Sequence, residues 1–202
     1  MKIKVEKEYP YRITEFKPNQ IKDFGLKVIA EIESSEIQYD NQNLNTFFYT
    51  IEKECKDKHI WILFGSKDKK SWIPLQAASK TKNVTEEIRN DFSCMFPYDE
   101  KKNKKSWNSC FYKSVMEIDY GLERKYQKYR QIKDMCKWLG IAIFVNESKL
   151  KDVNDGSGIS KYQKAECDIA VKLKPLLWNP APNSSTGQGE RAYLKSKHNL
   201  VL

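Results

Sequence analysis

Residues Ile159-Ser160-Lys161-Tyr162-Gln163-Lys164-Ala165-Glu166-Cys167-Asp168-Ile169-Ala170-Val171-Lys172-Leu173-Lys174-Pro175-Leu176-Leu177-Trp178-Asn179 decide how the rest of the chain is read. On a helix, Ile159, Tyr162, Ile169, Ala170 and Leu173 fall on one side at three- and four-residue intervals, with Glu166 near the middle of that apolar stripe. Lys161, Lys164, Asp168 and Lys172 take the opposite side. A carboxylate thus stands where a hydrocarbon belongs. Burying it unpaired costs on the order of several kcal/mol unless a cation, a metal or hydrogen-bond donors meet it. Glu166 is either a core-edge residue whose head reaches water or a lysine, or a functional acid. Pro175 ends the helix, and Trp178-Asn179 follows at once.

A length of 202 residues suits one domain of moderate size, or a small one with an added flank. With 40% apolar and 12% aromatic residues there is material for a core, while only 8 Gly and 7 Pro argue against a repeat or low-complexity chain. Lys plus Arg number 36 against 27 Asp plus Glu, a net charge of +9 that favours polyanionic partners. Nucleic acid, double-stranded DNA first, is the expected partner. Cys55, Cys94, Cys110, Cys136 and Cys167 include no C-x-x-C pair, so neither a disulfide framework nor a zinc site of familiar spacing follows. His59 and His198 stand far apart, leaving little for histidine chemistry unless the fold brings them together. No apolar run is long enough to span a bilayer and Met1 to Glu6 does not read as a secretory leader, so no membrane partner and a reducing cytoplasm are expected.

Residues 1–16 read as short extended pieces. A helix is predicted from about Gln20 to Glu33, because Ile21, Phe24, Val28 and Ile32 repeat at helical intervals after the plausible N-cap Asn19. Ser34 to Asn45 is polar, so residues 1–45 form an expected appendage, residues 46–180 the main domain and residues 181–202 a C-terminal extension. Phe47 to Ile51 are β-branched or aromatic, and Lys53 to Lys58 make a charged turn. His59–Gly65 and Ser71–Ala77 then read as paired strands around the turn Ser66–Lys70, and Pro74 marks the second as an edge or a bulge. A helix is predicted from about Asn83 through Val84, Ile88 and Phe92. Residues 97–108 form a basic loop in which Lys101, Lys102, Lys104 and Lys105 suit phosphates and Trp107 suits base stacking, or else simply a solvated lysine loop. A long helix follows along the stripe Phe111, Val115, Ile118, Leu122, Tyr129, Ile132, Cys136 and Leu139, closed by Gly140. Ile141–Val145 is a buried strand, residues 181–189 are a flexible loop, and Glu190 to Lys197 are a short helix. The fold class expected is α+β, a small antiparallel sheet of about three strands flanked by helices.

This order of elements, ending in Lys174-Pro175-Leu176-Leu177-Trp178-Asn179, resembles the GIY-YIG nuclease superfamily, which includes repair, homing and restriction endonucleases. The resemblance covers about residues 58 to 180. Glu166 aligns with the family's metal-binding glutamate, and Lys174 to Asn179 look like its Lys-Pro-x-x-Trp-Asn ending. Ile60-Trp61 and Trp72-Ile73-Pro74 stand for the two name-giving tripeptides, with tryptophan in place of both tyrosines and proline in place of a glycine. Asn83-Val84-Thr85-Glu86-Glu87 matches the start of the next helix, with Glu87 where the family has arginine.

The resemblance implies a metal-dependent endonuclease of restriction type, acting on DNA phosphodiester bonds with one Mg²⁺ or Mn²⁺ held through Glu166. The positions it points to as catalytic are Glu166, Trp61, Trp72 and Asn179, with Arg89 a candidate for the missing arginine. Tryptophan has no hydroxyl, so Trp61 and Trp72 do not replace a tyrosine chemically, and Glu87 repels the phosphate an arginine would hold. Lys80, Lys82 and Lys67 are further candidates for the missing positive charge, the first two also as nucleic-acid contacts. Helical spacing adds that Glu87 and Asp91 share the side of their helix that carries Val84 and Ile88, so that Glu87, Asp91 and Glu166 would converge on a metal. The alternative function is a catalytically silenced module that keeps the nuclease fold and binds nucleic acid or a partner. In a third case the fold is unrelated and Glu166 is structural.

Overall fold

The computed structural model describes residues 14–38, 40–82, 84–95, Tyr129, 132–176, Trp178 and 185–200. Strands β1 (Leu26–Glu33), β2 (Ile60–Ser66), β3 (Ile73–Ser79) and β4 (Trp138–Phe144) form one sheet in the order β1-β4-β2-β3, and every neighbouring pair is antiparallel. Helices α1 (Gln42–Glu54), α2 (Val84–Ser93), α3 (Lys161–Leu173) and α4 (Ser185–His198) complete an α+β fold. Two apolar layers result. Trp61, Leu63, Leu139 and Ile141 point into one with α1 and α2; Ile60, Ile62, Phe64 and Ala142 point into the other with α3 and α4. Strand β2 is buried throughout, which is why its sequence is apolar at nearly every position rather than alternating.

The helix expected over 20–33 does not form. A 3₁₀ turn, Gln20–Phe24, ends at Gly25, whose φ of 71° turns the chain into β1. A bulge between Val28 and Ala30 then switches which face the strand presents, Leu26 and Val28 packing on one side and Ala30 and Ile32 on the other. That switch removes the two-residue alternation and leaves spacings that imitate a helix. Strand β1 is therefore one of the two outer strands of the sheet, not part of an appendage. Phe47 to Ile51 lie in α1, where the Asn41 side chain accepts from the Asn43 and Leu44 amides at 2.8 and 3.2 Å and caps the helix. Leu44, Phe47, Phe48 and Ile51 form its buried face, and Phe92 of α2 packs on both phenylalanines.

The hairpin β2–β3 forms where the sequence places it. Pro74 sits in the edge strand β3 at a bulge, with Phe64 opposite it and Leu63 opposite Gln76. Leu139 and Gly140 belong to β4, not to the preceding helix; within that predicted helix, Tyr129 and residues 132–135 are helical and the remainder lies outside the described residues. Gly140 is needed as a seat rather than as a stop: a Cβ there would stand 3.0 Å from Cζ3 of the Trp72 ring.

Ser160 caps α3 by a reciprocal pair with Gln163, and Lys174 ends it in the left-handed conformation ahead of Pro175. Helix α4 begins at Ser185, earlier than the loop expected over 181–189 allows. Tyr193 donates to Asp168 at 3.0 Å and His198 Nε2 lies 2.7 Å from the same carboxylate, fastening α4 to α3. Gly189 sits where α4 meets the segment before α3; a Cβ would lie 2.5 Å from the Ser157 carbonyl oxygen and 2.6 Å from Ile159 Cγ2. Gly189→Ala, which on an open helix would stabilise by about 1 kcal/mol, should here lower the melting temperature. Thermal unfolding followed by circular dichroism checks this, and an unchanged or raised midpoint would refute the close packing.

Candidate functional site

Glu166 is carried by α3 onto the end of β3. Ser79, the last residue of that strand, donates its hydroxyl to Oε2 at 2.6 Å, and the Trp178 indole Nε1 donates to Oε1 at 2.8 Å. The chain after α3 is folded back so that the indole reaches the acid: Leu176 N donates to the Pro74 carbonyl at 3.0 Å and Trp178 N to the Pro175 carbonyl at 3.3 Å. The carboxyl is 8% exposed, so the cost of burying it is met by two donors. Burial lifts its pKa to about 7; the bonds from Ser79 and Trp178 pull it down in part, and the charges of Glu190 and Glu87 push it further up. Glu190, buried on α4, is raised by burial and lowered by Arg191. The group is thus an acid that exchanges its proton near neutral pH.

The three carboxylates expected to converge do not. Glu87 accepts from Trp61 Nε1 at 3.2 Å, and buried Asp91 accepts from the Tyr129 hydroxyl. Among the described residues no three His, Cys, Asp or Glu side chains stand close enough to hold one ion. The reason is that α2 and α3 pack on opposite faces of the sheet, so a shared helical face on α2 looks into the other apolar layer. What remains is one buried carboxylate whose two oxygens accept from Ser79 and Trp178; of these two neighbours only the serine hydroxyl has a lone pair to offer, the indole N–H being a donor alone.

Trp61 is fully buried and Trp72 nearly so, and both are core residues. Arg89 Nη2 pairs with Glu52 on α1 at 3.0 Å, and its guanidinium lies 5.3 Å from the centre of the Phe48 ring. It therefore faces α1. Lys80 follows Ser79 directly, half-buried, with its amide on the His59 carbonyl, and Lys82 is exposed beyond it. Lys101, Lys102, Lys104, Lys105, Trp107 and Asn179 lie outside the described residues. Comparison with known proteins finds no matching family model, no matching curated protein and no matching solved structure.

Four cysteines, Cys55, Cys94, Cys136 and Cys167, are buried free thiols. Burial pushes Cys55 up to about 12 and Cys136 to about 11, and raises Cys167 as well, which makes these three poor nucleophiles. Sequence reasoning found Glu166 because an acid interrupts an apolar stripe. It missed Ser79, Glu190 and the pair His59–Glu147, since a strand-end serine and acids outside a stripe carry no pattern of their own. The Glu147 carboxylate, buried after β4, accepts the His59 and Ile60 amides and lies 2.9 Å from His59 Nδ1.

Proposed function

We propose that this protein is a metal-dependent endonuclease-like phosphodiesterase acting on DNA, related to the GIY-YIG nucleases, with Mg²⁺ or Mn²⁺ held through Glu166. One observation carries the proposal: the acid that aligns with the family's glutamate lies buried in a polar niche at the end of the hairpin that would bear the two name-giving motifs. The cation would supply charge for the developing oxyanion, and Glu166 is the residue that would hold it. Lys80 and Lys82, next to Ser79, and the net charge of +9 supply the attraction for a phosphate backbone. A reducing cytoplasm suits the four buried free thiols.

A second reading, a module of the same fold that binds nucleic acid without cleaving it, is favoured by Arg89. That side chain is committed to Glu52, and Glu87 rather than a cation meets Trp61. Supercoiled plasmid incubated with the protein and Mg²⁺ or Mn²⁺ tests both. Nicking that disappears in Glu166→Ala is the expected result; a retarded gel band with no nicking in either metal would replace the first reading by the second.

A further inference from the structure

We propose that His59 is the general base of this site, held in its working tautomer by Glu147; the assignment rests on the phosphodiesterase reading. Glu147 lies in the 3₁₀ turn Glu147–Lys149 after β4 and is 8% exposed. Its carboxylate accepts from the His59 amide at 2.9 and 3.2 Å and from the Ile60 amide at 3.0 Å. With both oxygens already acting as acceptors, Nδ1 at 2.9 Å is the protonated nitrogen and the lone pair is left on Nε2. The ring stacks on Tyr162 with centroids 3.9 Å apart and planes 9° from parallel, which fixes its orientation. Its side chain is 25% exposed, and among the described residues nothing bonds to Nε2.

Two contacts place this imidazole on the side of the sheet that holds Glu166. Tyr162 precedes Glu166 by one helical turn on α3, so the stacked ring and the acid flank the same edge of that helix. Across the sheet, Ile60 pairs with Ser79, which donates to Glu166. The indoles of Trp61 and Trp72 carry no basic lone pair; His59 does. In the step proposed, Nε2 takes a proton from water as the water oxygen bonds to phosphorus. The bond from phosphorus to the leaving sugar oxygen breaks, and that oxygen takes a proton from solvent. The imidazolium returns its proton to bulk water, leaving one phosphate monoester and one alcohol. Glu147 acts through His59 and is a positioning residue.

The test is the rate of plasmid nicking in Mg²⁺ or Mn²⁺ by full-length wild type, His59→Ala, Glu147→Gln, the double variant and Glu166→Ala. His59→Ala should lose about 10²- to 10⁴-fold in rate while retaining its gel shift, and added imidazole should restore part of the loss. Glu147→Gln should lower kcat with little change in KM, and cost nothing further when His59 is already alanine. If His59→Ala melts early, His59→Gln serves in its place, because it keeps a donor for Glu147 and lacks a basic nitrogen. Nicking by the His59 variants at the wild-type rate overturns the inference alone, as does a loss that imidazole does not restore. No nicking by wild type overturns the phosphodiesterase reading and this inference with it.

Discussion

Glu166→Gln should make the protein more stable than wild type at pH 8 and about equally stable at pH 4, with urea midpoints at the two pH values as the measurement. The folded protein holds the Glu166 proton up to about pH 7, whereas the unfolded chain releases it near the ordinary value of 4.5. Its contribution is therefore fully present below pH 4.5 and is lost as pH rises through 7, a change on the order of 3 kcal/mol. Glutamine has no such proton, yet its carbonyl can still accept from Trp178 and its amide can donate to Ser79. Glu190 is also raised by burial and gives a slope of the same sign in both proteins, so the difference between them reports Glu166 together with its repulsion of Glu190. On the proposed function, Mg²⁺ at pH 8 should recover stability in wild type and not in Glu166→Gln, because a cation binds the ionised form alone. Parallel pH profiles for the two proteins would contradict the burial of this acid.

Trp61→Ala should cost about 3–5 kcal/mol and lower the urea midpoint more than any surface change. The indole is 0% exposed near the start of β2, between Ala78 on β3 and Ile143 on β4. Its loss removes both that packing and the hydrogen bond to Glu87. Trp61→Phe keeps most of the buried area and should cost less. A Trp61→Ala protein within 1 kcal/mol of wild type, on the scale of ordinary surface substitutions at about 0.5 kcal/mol, would mean that the ring is not where the sheet puts it.

The hairpin, α2, α3 and the strand around Ile141 were legible because their apolar residues are continuous or keep one period. The failures have local causes. At β1 the bulge breaks alternation after Val28, so Ile21, Phe24, Val28 and Ile32 mimic a helix. At β4 the glycine that looked like a helix stop is the place where Trp72 lies across the strand. At α4 the glycines that looked like a loop include Gly189, which lets the helix approach Ser157. For the site, one out-of-pattern acid was visible in the sequence. Its partners were not, because Ser79 meets it only where α3 packs on the end of β3, Trp178 only through the fold-back at Pro175, and His59 finds Glu147 across 88 positions of chain. The expected convergence of Glu87, Asp91 and Glu166 failed for a different reason: helical spacing fixes which side of α2 a residue takes but not which face of the sheet α2 covers.

Strand β4 lies between β1 and β2, so it is the last strand synthesised and yet the one that joins the other two. The Ser34 hydroxyl, for instance, reaches the Cys136 carbonyl 102 positions away. During synthesis, the chain that has emerged before Trp138 has β2 and β3 as its only ladder among the described strands, while Ile32 and Leu63 wait for neighbours. Such long-range closure slows folding and lengthens the time for which sticky edges face other chains. Translation pauses or truncations upstream of Trp138 should thus favour aggregates more than those beyond His198, where α3 and α4 have also covered the face that carries Ile60, Ile62, Phe64 and Ala142.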